Sequence, residues 1–182
     1  MRDISMHILD ISGNSVRAKA SLVEVSVVEK TKEDTLVLKV KDDGCGMDEA
    51  TIKNALDPFF TSRKTRKVGL GIPLLQQNAQ LSDGRLIIKS EPGQGTELEA
   101  VFVRSHIDRP PLGDLPGTIS LMASGNPAVE FIYKHVLDKE EYVFDTREVK
   151  SILEGVEITE PGVVKFLKQM IEENLIDIGV EL

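Results

Sequence analysis

A cationic stretch that ends in two closely spaced glycines constrains this chain more than any other feature. Residues 57–71 read Asp-Pro-Phe-Phe-Thr-Ser-Arg-Lys-Thr-Arg-Lys-Val-Gly-Leu-Gly and lead directly into Ile-Pro-Leu-Leu. Glycine lets the backbone approach a ligand without an intervening Cβ, and Pro73 suits the first turn of a helix. The free N–H groups at such a helix start attract anions. The run therefore predicts a polyphosphate site, with an ordinary surface loop as the alternative.

Composition excludes several classes of function. The 182 residues, 41% of them apolar, suffice for one domain with or without a small appendage. A formal net charge of −8 argues against broad nucleic-acid binding, which needs a basic face. Cys45 is the single cysteine, so no internal disulfide can form, and we interpret it as a small buried turn residue. No apolar run approaches the roughly 20 residues of a membrane span. We therefore expect a cytoplasmic protein that binds neither nucleic acid nor membrane.

Hydrophobic periodicity predicts an α/β fold for residues 1–105. Apolar positions three or four apart predict a helix over residues 4–20. Alternating apolar residues then predict two strands that are joined by a short polar turn, as in an antiparallel pair. The predicted strands cover 22–29, 36–40, 85–90 and 96–104, and two further predicted helices cover 48–56 and 73–81.

The remaining residues carry no recognisable catalytic motif. The composition of 106–117 is typical of a linker, and 118–182 are predicted to form an α or α/β extension. Within it we predict a helix over 128–137, a short strand over 142–144, a helix that starts at Asp145 and another that starts at Thr159. The extension is either a small interaction module or a packed part of the first domain.

Five short motifs in order resemble the nucleotide-binding boxes of the GHKL superfamily, which includes DNA gyrase, the large heat-shock chaperone, histidine kinases and MutL proteins. The motifs are Asn14, Asp42-x-Gly44-x-Gly46-Met47, residues 57–61, Gly69-Leu70-Gly71-Ile72 and Gly93-x-Gly95-Thr96. Residues 57–102 resemble sensor histidine kinases, whereas 10–20 look more like the first helix of MutL or of anti-sigma serine kinases. The resemblance, over about residues 4–104, implies a two-layer α/β sandwich of the Bergerat type. In that fold, helices cover one face of a mixed, mainly antiparallel sheet.

The resemblance implies an adenine site at the first glycine motif. Asp42 matches the carboxylate that accepts a hydrogen bond from the adenine amino group. Gly44, Gly46 and Met47 match the backbone that approaches the purine, and Thr96 matches a hydroxyl that supports the same contact.

The resemblance also implies a phosphate site with Mg²⁺. Asn14 matches the metal ligand, and an amide oxygen suits this hard cation. The matched phosphate-binding residues are Gly69, Leu70 and Gly71, with Arg17, Arg63, Lys64 and Lys67 as further partners. We expect residues 61–68 to order around the phosphates when nucleotide binds. Asp10 is the candidate catalytic base.

The chain departs from the family pattern at three points. Asp10 stands where ATP-hydrolysing members carry Glu, which shortens the arm of the base by one methylene. Lys67 stands where the second glycine motif often has another Gly, and the segment before Gly69 is short. No dimerisation helix with a phosphoacceptor His precedes the domain, so we expect no complete sensor kinase and interpret His7 as an ordinary side chain.

Three functions remain open from the sequence. The first is a stand-alone ATP-dependent protein kinase or phosphotransfer regulator that acts on an unknown protein partner. The second is a nucleotide-sensing interaction module with little hydrolysis. The third is an ATP-driven dimeric clamp like MutL, against which the acidic charge counts. A homodimer is possible in each case.

Overall fold

A computed structural model describes residues 2–57 and 70–182 of the chain. Helices and strands both occur throughout these two ranges, so the predicted α/β fold class is confirmed. In chain order they are α1 (Ile4–Arg17), β1 (Leu22–Lys30), β2 (Thr35–Asp42), α2 (Glu49–Leu56), α3 (Gly71–Leu81), β3 (Arg85–Glu91), β4 (Gly95–Val103), α4 (Leu115–Gly125), β5 (Glu130–Leu137), β6 (Glu140–Asp145), α5 (Thr146–Ile152) and α6 (Pro161–Asp177).

The strands form one mixed sheet in the order β3-β4-β2-β1-β5-β6. The pairs β1–β2, β2–β4, β3–β4 and β5–β6 are antiparallel, and β1–β5 is parallel. The predicted mixed, mainly antiparallel sheet is therefore confirmed. Its four predicted strands each lie within two residues of the expected bounds.

The hydrophobic core lies between the helices and one face of the sheet. Alternate residues of β1 are buried, and the register places Val40 of β2 and Tyr133 of β5 on either side of Val25. Ile8 of α1 and Leu75 of α3 belong to the same fully buried cluster. On the opposite face the strands carry cross-strand ion pairs instead, such as Lys39 with Glu99 at 3.3 Å. This alternation fixes which face of the sheet the helices cover.

Two backbone hydrogen bonds fasten the start of α1. Asp3 caps the helix by accepting from the N–H of Met6 at 2.8 Å. The N–H groups of Ile4 and Ser5 donate to the carbonyls of residues 111 and 112, both at 2.9 Å. These contacts satisfy N–H groups that a helix start leaves unpaired. The segment between β4 and α4 thus holds α1 in place against the sheet.

The C-terminal residues continue the first sheet. The prediction of a helix over 128–137 is wrong, because 130–137 form β5 beside β1. Helix α4 begins at Leu115, inside the segment whose composition is typical of a linker, with Asp114 as its N-cap. The strand predicted at 142–144 lies within β6, and the helices predicted to start near Asp145 and Thr159 are present as α5 and α6.

A buried polar network joins β1 to β5. Glu29 and His135 are 4% and 0% exposed, and the distance between Glu29 Oε1 and His135 Nε2 is 3.1 Å. Tyr133 lies 2.6 Å from the other ring nitrogen of His135, and Arg104 donates to Glu29 at 2.8 Å. Burial raises the pKa of Glu29, but hydrogen bonds from His135 and Arg104 outweigh it and lower that pKa below its ordinary value. The carboxylate therefore ties the strand from the C-terminal part to the sheet.

In the described ranges, the longest helices are too short or too polar to cross a membrane.

Candidate functional site

Helix α1 brings the predicted catalytic and metal-binding side chains to one side of the molecule. Asp10 and Asn14 lie one helical turn apart, as their spacing predicts. Arg17, one turn further on, donates a hydrogen bond to Oδ1 of Asn14. The side-chain oxygen of Asn14, which the resemblance assigns to Mg²⁺, is thus bound to the guanidinium group of Arg17 in this structure. In the described part of the chain no cluster of three or more His, Cys, Asp or Glu side chains could hold a metal ion.

The carboxylate of Asp10 lies against the first residue of α3. A Cβ placed on Gly71 would lie 1.8 Å from Oδ2 of Asp10, so no larger residue fits there while Asp10 keeps its position. Leu70 precedes Gly71 as the N-cap, and no side-chain hydrogen bond caps this helix start within the described residues. The candidate base therefore lies at the start of α3, where no side chain caps the helix.

His7 lies one turn before Asp10 and packs between α1 and α3. It is 0% exposed, and its Nε2 is 2.9 Å from Nδ2 of Asn78. Among the described residues its Nδ1 has no hydrogen-bond partner. Burial disfavours the charged imidazolium and lowers the pKa of His7 from 6.5 to about 4. His7 is thus a neutral imidazole at neutral pH that joins the two helices.

Asp42 ends β2 with its carboxylate held by three hydrogen-bond donors. Oδ1 accepts from the N–H groups of Gly44 at 2.9 Å and Thr96 at 3.3 Å. Oδ2 accepts from the hydroxyl of Ser15 at 2.5 Å. Thr96 therefore contacts Asp42 through its backbone, whereas its hydroxyl lies 2.9 Å from the hydroxyl of Ser90. This arrangement fixes the carboxylate at the end of the strand.

The glycines that follow Asp42 allow this segment to lie close to the end of α1 and to the β3–β4 connection. A Cβ on Gly44 would lie 2.9 Å from the carbonyl oxygen of Ala18 at the end of α1. Gly46 has φ of +65°, and a Cβ there would lie 1.9 Å from the carbonyl oxygen of Glu91. Met47 donates its N–H to Ser90 at 2.8 Å. The motif thus packs between α1 and the β3–β4 turn, where only glycine fits.

Cys45 does not fill the role predicted for it. The prediction of a buried residue is wrong, because its side chain is exposed. Its backbone makes the structural contacts: its N–H donates to Ala18 at 2.9 Å and its carbonyl accepts from Gly93 at 2.8 Å. The flanking glycines allow the backbone, not the thiol, to pack inward.

A cleft of about 420 Å³ opens beside Asp42. Ile52 of α2 and Ile88 of β3 supply apolar lining, and Ser90 and Thr96 supply hydroxyls. The remaining lining residues are mainly charged or polar, so the cleft combines apolar and polar surface. The cleft thus lies beside the residue that the resemblance matches to the adenine contact.

Some of the predicted site residues lie outside the part of the chain that the structure describes. These residues are Arg63, Lys64, Lys67 and Gly69. The ordering expected for residues 61–68 also falls outside the described residues.

The sequence did not identify Ser15 and Ser90, although both contact the site. Ser15 had a signal, since it is a polar residue at an apolar position of the α1 stripe, two positions from Arg17. Ser90 had none, because a serine near a strand end is common.

The family model described as "Histidine kinase-, DNA gyrase B-, and HSP90-like ATPase" matches residues 2–106. A putative sensor protein of Shewanella frigidimarina is 37% identical over 73 residues, which are 40% of this chain and 11% of that protein. Sensor histidine kinase YvrG of Bacillus subtilis is 29% identical over 97 residues, or 51% and 17% of the two chains. Cell-division control histidine kinase PdhS of Brucella canis is 33% identical over 116 residues, or 56% and 11%. The chain thus spans only 11% to 17% of the length of these relatives.

A solved structure shares the fold beyond the matched region. The N-terminal domain of a DNA repair protein superposes with a TM-score of 0.56 at 13% identity, over 79% of this chain and 52% of that one. Because the family model matches more than half of the chain, with the predicted motifs inside the match, the chain belongs to the histidine kinase-, DNA gyrase B- and HSP90-like ATPase family.

Proposed function

We propose that this chain binds Mg·ATP along α1 and acts as an ATP-dependent protein kinase or phosphotransfer regulator. The observation that carries the proposal is the contact between Asp10 and Gly71, which places a carboxylate at the uncapped start of α3. An anionic phosphate is favoured at such a helix start. A candidate base therefore lies beside the place where the terminal phosphate would bind.

Both ends of the proposed site lie along α1. Asp10 contacts the start of α3, and Ala18 contacts the glycine motif that follows Asp42. Eight residues separate these two positions on α1, which is about 12 Å along a helix. The base would lie at Asp42, which itself contacts α1 at Ser15, between these two positions. Asp42 would accept from the adenine amino group, whereas the carbonyl of guanine would leave its free lone pair unpaired.

The residues present also fit Mg²⁺. The ion supplies charge neutralisation at the phosphates and takes most of its ligands from phosphate oxygens and water. Asn14 would hold it through Oδ1, which accepts from Arg17 in this structure. With that oxygen directed to the ion, Arg17 would be available to pair with phosphate. Asp10 would accept the proton of the attacking hydroxyl or water.

The kinase assignment draws on the relatives that are named as sensor histidine kinases. ATP binding without turnover, as a nucleotide-sensing module, is the alternative, and the shorter arm of Asp10 favours it. The phosphoacceptor, a cytoplasmic location and a homodimer stay predictions.

Labelled ATP tests the proposal. The wild-type chain is incubated with Mg²⁺ and γ-labelled ATP, and both phosphate release and label transfer to co-purifying proteins are measured. Asp10→Asn should lower the rate by about 100-fold or more, because it removes the base, while ATP affinity stays within a few-fold. Asp10→Glu should keep or raise the rate. Asp108→Asn, a change at an exposed carboxylate on the segment after β4, is the control.

The outcomes separate the alternatives. Tight ATP binding by the wild type with negligible release or transfer supports the sensing module. A clear rate that Asp10→Asn leaves unchanged removes Asp10 from the mechanism.

A further inference from the structure

Ser15 makes a hydrogen bond that the metal and phosphate roles of α1 do not require. Its side chain is on the sheet-facing side of α1 and is 2% exposed. Its hydroxyl lies 2.5 Å from Oδ2 of Asp42 and 3.4 Å from the carbonyl oxygen of Ile11. A hydroxyl has one proton to donate. Because a carboxylate is the stronger acceptor and the shorter contact, the proton goes to Asp42.

Within the described residues, the three donors around Asp42 leave it one acceptor position. A carboxylate offers about four lone-pair positions. On Oδ1 the two positions are taken by the N–H groups of Gly44 and Thr96. On Oδ2 one position is taken by Ser15. The remaining lone pair of Oδ2 is available to a ligand, and Ser15 fixes its direction.

We propose that Ser15 is a positioning residue that aims this lone pair of Asp42 and thereby sets the preference for a purine with an amino group at position 6. The inference rests on the proposed function, in which Asp42 contacts the base. Without the serine hydroxyl the carboxylate keeps its two backbone contacts but can rotate about them. An amino group would then be bound less well, and a carbonyl at the same position would be repelled less.

Ser12 provides a matched control for Ser15. It lies on the same helix, is 1% exposed, and its hydroxyl has no hydrogen-bond partner among the described residues. Ser12→Ala therefore removes an equally buried hydroxyl that does not touch Asp42. Any general effect of losing a buried hydroxyl from α1 appears in both variants.

The test compares ATP with inosine triphosphate, which differs from it at position 6 by a carbonyl in place of the amino group. Affinities for both are measured by titration calorimetry with Mg²⁺, on wild type, Ser15→Ala and Ser12→Ala. Ser15→Ala should lose up to about 10-fold in ATP affinity, because the contact of Asp42 with the amino group, itself a charge-assisted hydrogen bond, becomes misaligned, while inosine triphosphate should change less than twofold. The ATP preference should thus fall about 10-fold in Ser15→Ala and stay at the wild-type value in Ser12→Ala.

A purely structural role for Ser15 would lower both affinities equally and leave the ratio unchanged, and that result overturns the inference. Ser15→Cys has a similar volume and a weaker hydrogen-bond donor, so its ratio of ATP to inosine triphosphate affinity should be intermediate. This variant replaces Ser15→Ala in the test if the alanine variant does not fold. A wild-type chain that does not distinguish the two nucleotides contradicts the proposed role of Asp42 itself, so the two failures are separable.

Discussion

At the scale of single residues, glycines decide whether the site can form. Gly93 and Gly95 lie in the same β3–β4 turn, with φ of +80° and +89°. Nothing lies within 4 Å of a Cβ built on Gly93, whereas one on Gly95 would lie 1.9 Å from the carbonyl oxygen of Asp42. An alanine would have an unfavourable backbone conformation at either position, but only at position 95 would its Cβ also clash with a neighbouring atom.

This pair yields a prediction about stability. Gly93→Ala should cost about 1–2 kcal/mol, the penalty for a left-handed residue with a side chain. Gly95→Ala should cost about 3 kcal/mol or more, because its Cβ also forces the backbone of Asp42 away. Urea unfolding of both variants gives the two free energies, and ATP affinity should fall only in Gly95→Ala. Equal losses in the two variants would show that the contact with Asp42 has no energetic weight.

At the scale of elements, His7 couples α1 to α3 in a pH-dependent way. The pKa of His7 is lowered in the folded chain to about 4, below the ordinary value of 6.5. Between these values the unfolded chain binds a proton that the folded chain does not, so stability falls as the pH falls. The contribution is fully present above pH 6.5 and, over 2.5 pKa units, amounts to about 3 kcal/mol at most.

We predict that the free energy of unfolding decreases from pH 7 to pH 4 and that His7→Gln makes this decrease smaller by up to about 3 kcal/mol. The Gln side chain keeps an acceptor for Asn78 but does not titrate in this range. Denaturant titrations at several pH values measure this, and an unchanged slope in His7→Gln would contradict the buried, neutral state of the ring.

The sequence predicted an element correctly where the local pattern of residues determines its secondary structure. The strand β1 and the helix α1 followed from hydrophobic periodicity alone. Residues 128–137 fit both periods: Val129, Ile132 and Val136 repeat at helical spacing, while Phe131 and Tyr133 alternate as in a strand. Pairing with β1 and β6, which are distant in sequence, selects the strand.

The site shows the same division between local and distant causes. Asp10 and Asn14 on one helix face, and the glycines after Asp42, follow from spacing. The three donors to Asp42 come from α1, from the motif itself and from β4, so only the folded sheet brings them together. A sequence motif thus names the carboxylate but not the groups that orient it.

At the scale of the whole molecule, the C-terminal residues share the sheet with the ATPase region. The strand β5 pairs with β1 along its length, and the buried contact of Glu29 with His135 crosses that pair. The carbonyls of 111 and 112 hold the start of α1. A continuous core of this kind favours unfolding as one cooperative unit.

The two tyrosines make this testable, because the chain has no tryptophan and both Tyr133 and Tyr142 lie in β5 and β6. Tyrosine fluorescence therefore reports the C-terminal strands, while far-ultraviolet circular dichroism reports all elements. We predict the same unfolding midpoint with both probes, and that saturating Mg·ATP raises both by the same amount. A fluorescence transition that is separate from the other, or that does not respond to nucleotide, would show that the C-terminal part folds independently.

Recognition of adenine by Asp42 connects the residue, its strand and the family assignment. The preference for adenine is measured by calorimetric titration with Mg·ATP and Mg·GTP. The wild type is compared with Asp42→Asn and with Asp108→Asn as the control. We predict that the wild type prefers ATP by about 100-fold or more, because guanine leaves the free lone pair of Asp42 unpaired. Asp42→Asn should lose most of its ATP affinity while remaining folded by circular dichroism. Equal affinity of the wild type for ATP and GTP, or an Asp42→Asn variant that binds ATP like the wild type, would contradict a base site at Asp42.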